Sequence, residues 1–255
     1  MIHQSQAAST ERRGQGKREA RAHRILDAAS ALILRWGYQK TTVDDIARQA
    51  GVAKGTIYLH WKTREDLFAA LMVREKFFAA EDIKHRLAED PEGATLRGML
   101  KHAVLALTQR PLMKAVLLRD MGVVGQLAYS RHSNIAHMQR LEDFKVYLEL
   151  LREHGVVRTD IDLDTQVYML SAIFLGYFLV AQWMPEQYQP ADEEMAEIIA
   201  ETAHRALELD RPVPAQDLQA ASHALMQYIN QASITAQKEF GQEVAEEPSE
   251  EGALK

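Results

Sequence analysis

The fold of this chain is indicated most clearly by one segment, Thr41-Thr-Val-Asp-Asp-Ile-Ala-Arg-Gln-Ala-Gly-Val-Ala-Lys-Gly-Thr-Ile-Tyr-Leu-His-Trp61. Thr42 can cap a short helix because Asp45 follows it by three residues, which is the spacing of a capping box. Gly51 can end that helix in the left-handed conformation that glycine adopts without strain. A second short helix is predicted from Lys54 to His60. Two short helices joined by a glycine turn are the layout of a DNA-reading helix-turn-helix.

The same segment supplies the apolar contacts that two crossing helices need. Ala47 is small enough to lie at the helix crossing. The predicted seam between the helices consists of Val43, Ile46, Val52 and Ile57. With that seam facing inward, the second helix exposes Lys54, Gly55, Thr56, Tyr58 and His60. Trp61 is expected to pack inside, against Ile57 and Leu67.

The exposed residues have the chemistry of a DNA contact surface. Lys54 can donate to guanine O6 or N7 or to a phosphate, and the sequence leaves both alternatives open. Gly55 has no side chain that would hold the helix away from a duplex. The hydroxyl group of Tyr58 can reach a phosphate.

Further basic residues flank this surface. Lys62 and Arg64 lie beside the start of a third helix, which Thr63 and Asp66 can cap, and they are expected to clamp a phosphate there. Basic residues of an N-terminal arm are expected to reach along the duplex into the minor groove. The complete predicted DNA-binding set is Arg13, Lys17, Arg21, Thr42, Lys54, Gly55, Thr56, Tyr58, His60, Lys62 and Arg64.

Charge is segregated along the chain. The 255 residues carry a net charge of −6, yet residues 1–64 contain 12 Lys or Arg against 5 Asp or Glu. This N-terminal part therefore carries +7 and the remainder carries −13. A small basic domain attached to an acidic body fits a nucleic-acid partner for the basic part. Taken alone, the basic arm could also be a solvated segment without a partner.

Several other function classes are disfavoured. The chain has no cysteine, which excludes disulfides, thiolate metal sites and cysteine nucleophiles. The 10 histidines are scattered without a His-Glu-x-x-His motif, and no phosphate-binding glycine loop occurs. We therefore expect no enzymatic activity, no catalytic residue, no metal and no cofactor. The sequence lacks a long apolar run and a secretion signal, so we expect a cytoplasmic protein without a membrane partner.

The predicted fold class is all-α. Apolar residues recur at three- and four-residue spacing from Lys17 onward, and strand-like alternation is absent. Six further helices are expected after Asp90-Pro91, the last of them from about Ala215 to Phe240. The predicted organisation is a disordered basic arm over 1–16, a helix-turn-helix domain over 17–63, a helical domain over 64–240 and a disordered acidic tail over 241–255.

A family resemblance rests on the run Ala50-Gly-Val-Ala-Lys-Gly-Thr-Ile-Tyr58, continued by His60-Trp-Lys-Thr-Arg-Glu-Asp-Leu67 and preceded by Thr42 and Ile46-Ala47. This run resembles the DNA-binding signature of the TetR/AcrR family of bacterial repressors. The resemblance covers about Lys17 to Leu71 and departs mildly at Trp61, where phenylalanine is commoner. Beyond this part, the helix count and spacing are similar. The resemblance implies an N-terminal three-helix DNA-binding domain and a C-terminal helical domain for ligand binding and dimerisation.

The acidic body contains residues that could line an adaptable ligand cavity. Methionine and aromatic side chains suit such a cavity, although most residues of this kind are ordinary core. A polar group such as His102 could orient a ligand or lie elsewhere, on the surface or hydrogen-bonded in the core. The predicted ligand-binding set is Phe78, Met99, His102, Met113, Leu117, Met121, Met138, Leu141, Phe144, Tyr168, Phe174 and Phe178.

The helix predicted from Asp164 to Met184 is apolar on nearly every side, which a subunit interface explains economically. By the resemblance, it pairs with the helix of Met195 to Leu207 in a two-fold, four-helix contact. The predicted interface residues are Ala172, Leu175, Gly176, Leu179, Ile199 and Ala203. The final helix and the acidic tail extend beyond the nine helices that the family implies.

The sequence thus predicts a homodimeric regulator that binds double-stranded DNA. The function expected is that of a repressor released from a palindromic operator by a small, largely apolar effector. An α-helical protein-interaction adaptor, anchored to DNA and without a small-molecule ligand, is the alternative.

Overall fold

The structure is all-α, as predicted. A computed structural model describes residues 2–90, 93–118, 120, 122–123, 142, 144–181 and 183–245, and these residues contain no β-strand. Val157 and Glu208 form an isolated antiparallel bridge. The chain divides into two compact units: the first is Met1–Arg74 with Ala236–Lys255, and the second is Glu75–Thr235.

The helices of the two units follow one another along the chain. The first unit contains α1 (Ile2–Trp36), α2 (Val43–Ala50), α3 (Lys54–Tyr58) and the beginning of α4 (Arg64–Glu89). The second contains the rest of α4, then α5 (Leu96–Thr108), α6 (Pro111–Leu117), α7 (144–153), α8 (Leu163–Val180), a 3-10 turn (Glu186–Tyr188), α9 (Asp192–Leu207) and most of α10 (Ala215–Ala245). The division therefore falls inside α4, whereas the sequence placed a domain boundary at residue 63. The cap at Thr63 marks the beginning of α4. The boundary between the two units depends on packing instead, and it follows Arg74.

The predicted caps of the helix-turn-helix are confirmed. Thr42 and Asp45 form a capping box at the start of α2. Gly51 ends α2 with φ +67°, in the left-handed region, and its N–H bonds to carbonyl groups of the last turn. Thr63 and Asp66 form the same reciprocal pair at the start of α4, with N···O distances of 2.9 and 3.0 Å.

Two helix ends differ from the prediction. α1 begins at Ile2, where the sequence predicted a disordered arm over 1–16, and α10 continues to Ala245, past the expected end near Phe240. Both extensions contain Gln, Ala and Glu, and the first also contains Arg; these residues favour helix once a helix has formed beside them. A low apolar content argues against a packed core but does not prevent helix propagation. Residues 246–255 of the predicted tail lie outside the described residues.

The core of the first unit is the seam between α1, α2 and α3. The side chains of Val43, Ile46 and Ile57 are buried, as predicted, and Val52 is partly buried. α1 packs on α2, and further buried residues of this unit lie on α1 and at the start of α4: Ala22, Ile25, Leu26, Ile33, Leu67, Phe68 and Leu71. Trp61 is also buried, as predicted. Burying side chains of this size stabilises a fold by about 1.5–3 kcal/mol each.

One buried charge also belongs to this core. The Arg74 side chain donates from Nη1 to the carbonyl oxygen of His23 at 3.1 Å and to the Asp27 carboxylate at 2.7 Å. A buried guanidinium is tolerated when it is paired and hydrogen-bonded, as it is here. Arg74 therefore fixes α4 against α1 within the first unit.

His60 lies inside this unit, and its predicted position on the outer surface is wrong. α3 ends at Tyr58, so His60 follows the helix and its N–H turns back to bond the Ile57 carbonyl at 2.9 Å. Its side chain is only 5% exposed, and its ring centroid lies 5.2 Å from that of Trp61. Burial lowers the pKa of His60 to about 4, assisted by the positive charges of Arg18 and Arg21.

The second unit has two apolar clusters. One joins α5, α7, α9 and α10 through buried residues that include Leu96, Leu100, Leu148, Leu151, Leu207, Leu225 and Ile229. The other joins α5, α8 and α9 through Val104, Leu105, Phe178, Met195, Ala196 and Ile199. The part of α10 up to Thr235 is thus an integral part of this unit. Ser233 on α10 also donates to Glu81 at 2.7 Å, and His154 Nδ1 lies 2.9 Å from the Asp217 carboxylate.

α8 is apolar after its first turn but is poorly covered by its own chain. Among the described residues it is the one helix long and apolar enough to cross a membrane by length and composition, and only 17% of its 18 residues are buried. Its buried residues are Gln166, Leu170 and Phe178. Most of the apolar side chains of α8 therefore remain at least partly accessible in a single chain.

Acidification is expected to destabilise the protein through His60. Because the pKa is about 4 in the folded chain and 6.5 ordinarily, the unfolded chain binds a proton between these pH values that the folded chain does not. The stability supplied by neutral His60 is complete above pH 6.5 and is lost as the pH falls toward 4. Denaturant unfolding followed by circular dichroism should show a loss of about 2 kcal/mol from this residue near pH 4.5.

A non-titrating variant isolates this contribution. His60→Phe should lose less unfolding free energy than the wild type between about pH 7.5 and pH 4.5. His85→Gln, a change at an exposed position of α4, should keep the wild-type pH dependence. An equal loss of stability in wild type and His60→Phe would contradict the assignment.

Candidate functional site

The exposed face of α3 brings together four of the residues predicted to contact DNA. Lys54 and Gly55 are exposed, Tyr58 is 43% exposed and Thr56 is half-buried. Ile57, on the opposite side of α3, is buried in the seam. A Cβ atom added at Gly55 would meet no atom within 4 Å, so this glycine leaves an open surface beside its neighbours. The face is polar, accessible and held from behind by apolar packing.

Lys54 has a partner that the sequence did not suggest. Its Nζ donates to Oδ2 of Asp44 at 2.9 Å, which joins the first residue of α3 to the first turn of α2. This hydrogen bond and the nearby negative charge raise the pKa of Lys54. The two residues are ten apart and lie on different helices. Helical spacing rules apply within one helix, so they could not have paired these two residues.

Thr42 is exposed, but its hydroxyl group is already used. It donates to Asp45 Oδ2 at 2.5 Å and accepts from the Asp45 N–H at 3.2 Å. The hydrogen bond from Thr42 is the main reason that the pKa of Asp45 is lowered. Asp45 also accepts from Arg48 at 2.9 Å. The predicted DNA contact of Thr42 therefore competes with its role as the cap of α2.

The predicted phosphate clamp at the start of α4 is only partly available. Lys62 is exposed beside this helix end. Arg64 instead packs inward: its guanidinium donates to the Tyr38 carbonyl and lies 4.3 Å from the Tyr38 ring and 5.2 Å from that of Phe68. Burial raises the pKa of Tyr38, while the charge of Arg64 acts in the opposite direction. The structure thus gives Arg64 a packing role, because its planar cation stacks on aromatic rings.

The predicted basic arm is part of a helix. Arg13, Lys17 and Arg21 are spaced by four residues and so lie along one face of α1. Lys17 is exposed and Arg21 is partly exposed. Arg18, between them, donates to the Leu59 carbonyl at 3.4 Å, just after α3. These three positions form a stripe along α1, in the unit that contains α3, and the described basic side chains of this stripe are those of Lys17 and Arg21.

The predicted ligand-binding residues divide between several places in the second unit. Met99 and Phe144 belong to the cluster of α5, α7, α9 and α10. Leu117 and Phe178 belong to the other cluster, while Phe174 packs against both. Phe174 therefore connects the two apolar regions of this unit.

The other members of this set have distinct surroundings. Met113 is buried, and Phe78 lies under the Arg110 guanidinium at 5.0 Å. His102 Nε2 is 2.8 Å from an Asp90 carboxylate oxygen. Tyr168 is 75% exposed, so its predicted place inside an apolar cavity is wrong for the single chain. Met121, Met138 and Leu141 lie outside the described residues.

The predicted dimer residues differ sharply between α8 and α9. On α8, Ala172 and Gly176 line a shallow concavity of about 220 Å³ with Ile173, Tyr177 and Val180. Leu175 and Leu179 are partly exposed on the same helix. Ile199 and Ala203 on α9 are wholly buried in the apolar clusters of their own chain. Their predicted availability to a second subunit is therefore wrong, because that face of α9 packs on α5 and α8.

The structure also reveals exposed aromatic residues that the sequence did not single out. Trp183 is 78% exposed and Tyr188 is 68% exposed, in the segment that follows α8. The sequence predicts that a helix ends at Met184 but does not indicate which side chains near that end face outward. Together with the concavity on α8, they extend the accessible apolar surface of the second unit.

Comparison with known proteins identifies the family of the first unit. Residues 25–71 match the bacterial regulatory proteins of the tetR family. The uncharacterized HTH-type transcriptional regulator YwcC of Bacillus subtilis is 34% identical over 168 residues, which cover 63% of this chain and 75% of that protein. The fatty acid metabolism regulator protein of the same organism is 34% identical over 133 residues, covering 50% of this chain and 62% of that protein.

Solved structures share the fold. SmeT, the repressor of the Stenotrophomonas maltophilia multidrug efflux pump SmeDEF, has a TM-score of 0.58 at 21% identity, covering 76% of this chain and 95% of that chain. A complex of SmeT with triclosan gives the same TM-score. The family match spans α2, α3 and parts of the helices on either side of them, and the similarity to YwcC extends far beyond these helices. The chain therefore belongs to the TetR family of bacterial regulatory proteins.

Proposed function

We propose that this chain is a dimeric repressor whose α3 reads a palindromic operator in the cytoplasm. In this proposal, a small, largely apolar molecule binds the second unit and releases the DNA. The observation that carries it is the exposed face of α3, where Lys54, Gly55, Thr56 and Tyr58 stand on an apolar seam. A short polar helix, fixed from behind and open in front, is the element that helix-turn-helix proteins insert into the major groove.

The roles of the residues follow from their chemistry. Lys54 supplies a cation for a guanine edge or a phosphate, and Tyr58 supplies a hydroxyl group for a phosphate. Gly55 permits close approach of the backbone. Lys62 and the stripe of Arg13, Lys17 and Arg21 add positive charge for the phosphates on either side. His60 and Arg64 are left out of the proposed contact surface because their side chains serve the core.

Dimerisation is supported by the exposed apolar length of α8. Ala172 and Gly176 let a second helix approach closely, and Leu175 and Leu179 supply apolar area around them. A helix so apolar and so little covered by its own chain needs another partner in water. A two-fold contact between two copies would present two α3 helices to the two halves of a palindrome.

Release requires an effector that prefers one arrangement of the dimer. A molecule that binds both arrangements equally well does not change the equilibrium between them. Moving the population from 1:99 to 99:1 takes about 5.5 kcal/mol of differential binding. Phe174, which contacts both apolar clusters, is the residue we place nearest the effector. SmeT, a repressor of a multidrug efflux pump solved with triclosan, makes an apolar effector the first to test.

The adaptor alternative is less well supported. In it, the helical body together with α10 would bind a protein partner, and the helix-turn-helix would serve only as an anchor. The apolar stripe of α10 is instead buried within the second unit at Ala221, Leu225 and Ile229. YwcC, to which this chain is similar, is an HTH-type transcriptional regulator.

Two substitutions on α3 test DNA binding. Lys54→Ala should weaken binding to a duplex selected by the wild-type protein by about tenfold, because it removes one charged contact. Tyr58→Phe should weaken it by several-fold through loss of one hydrogen bond. Affinity should also fall steeply with salt. Gel-shift titrations measure all three effects.

A lysine of the second unit provides the matched control. Lys101→Ala removes the same charge from α5 and should leave the affinity unchanged. Wild-type affinity in both α3 variants would show that another surface contacts the duplex.

Substitution on α8 tests the dimer. Ala172 is exposed, so Ala172→Arg should fold but prevent close approach of a second helix. Light scattering should give the mass of one 28.9 kDa chain instead of two. Ala31→Arg, the same change at an exposed position of α1, should remain dimeric. A dimeric Ala172→Arg protein would rule out this part of α8 as the interface.

Effector binding is tested with a panel of small apolar compounds that includes triclosan. At least one compound should raise the thermal midpoint of the full chain and weaken operator binding. Phe174→Ala should reduce this stabilisation without changing affinity for DNA. A compound that stabilises the protein yet leaves operator binding intact argues against release. If no compound stabilises the chain and a protein partner is captured, the adaptor is favoured.

A further inference from the structure

The ion pair between Asp44 and Lys54 joins α2 to α3 on the surface proposed to face DNA. Nζ and Oδ2 are 2.9 Å apart, and the side chains are 61% exposed for Asp44 and 49% exposed for Lys54. Exposed pairs of this kind add little to stability. The pair therefore contributes little to stability, although one of its members, Lys54, is the cation best placed for DNA recognition.

We propose that Asp44 is a specificity-determining residue that restrains Lys54 from binding phosphates indiscriminately. This inference rests on the proposed function, since it assumes that the exposed face of α3 meets the duplex. Asp44 would act through Lys54, as a positioning residue. Its effect would be to raise the preference for the operator over other duplexes.

The physical reason lies in how the two modes of binding are stabilised. Nonspecific binding comes almost wholly from cations that neutralise phosphates and release counterions. A carboxylate paired with Lys54 neutralises one such cation, so that Lys54 contributes less to phosphate binding. Nonspecific affinity is therefore lowered.

Asp44 lowers the affinity for the operator less than it lowers the nonspecific affinity. A lysine ammonium has three N–H donors, and Asp44 accepts from one of them. The other donors can reach the O6 and N7 acceptors of a guanine while the bond to Asp44 is kept. Asp44 would also limit the positions open to a flexible side chain, so that the ammonium meets the base edge at a lower entropic cost.

The neighbouring acidic residue cannot take this role. Asp45 caps α2 through Thr42 and accepts from Arg48. Asp44 has no part in that capping box, so Asp44→Asn leaves the start of α2 intact. The variant is nearly isosteric and lies on the surface, so it should fold and melt like the wild type.

The test compares two duplexes: an operator selected from a random library by the wild-type protein, and a random-sequence duplex. At about 50 mM salt, Asp44→Asn should bind the random duplex about tenfold more tightly, with a salt dependence steeper by about one phosphate contact. Affinity for the operator should rise less, so the ratio of the two affinities falls.

Three further proteins make the result specific. Glu19→Gln removes one negative charge from an exposed position of α1 and should leave the ratio unchanged. Lys54→Ala and the double variant Asp44→Asn/Lys54→Ala should have equal ratios, because Asp44 has nothing left to restrain. An unchanged ratio in Asp44→Asn, or an equal fall in the Lys54→Ala background, overturns the inference. A wild-type protein that selects no duplex at all overturns the proposed function instead.

Discussion

The apolar seam of Val43, Ile46 and Ile57 is the constraint on which the first unit depends. α3 is a helix of only 5 residues, too short to persist in water by itself. Packing of α3 on α2 with Ile57 buried fixes its orientation, and the opposite side of α3 must then face outward. The proposed DNA-binding surface is thus a consequence of the core. It needs no strained backbone, because Gly51 supplies the turn at φ +67°.

Local signals allowed much of this unit to be predicted. The capping boxes of Thr42 and Thr63 and the turn at Gly51 depend on residues close together in the sequence, so they could be read directly. The predicted exposure of His60 is wrong because α3 ends at Tyr58, before His60. The sequence does not fix the last residue of so short a helix, so it does not fix which side His60 faces. The contact of Arg64 with the Tyr38 carbonyl joins residues 26 apart, so the sequence alone predicts a phosphate ligand there instead of a packed side chain. The same limit hid the pair of Asp44 and Lys54.

The second unit is harder to predict, because apolar periodicity identifies the apolar face of a helix but not the element that packs on that face. Tyr168 and Ile199 look equally suitable for burial in the sequence, yet one is 75% exposed and the other wholly buried. Their difference comes from α9, whose apolar face packs on α5 and α8 while much of α8 stays open. α10 shows the reverse case, since its stripe is used inside the unit. Long-range packing of this kind is settled only in three dimensions.

Footprinting of the full-length protein on a duplex that it selects from random sequence, at low ionic strength and with random competitor, tests whether α3 reads DNA as part of a dimer. Two protected half-sites are expected, arranged as an inverted repeat and separated by about one helical turn of 10–10.5 base pairs or a multiple of it. Enrichment of no sequence over the competitor would contradict DNA reading by α3. A single protected half-site would contradict the dimer.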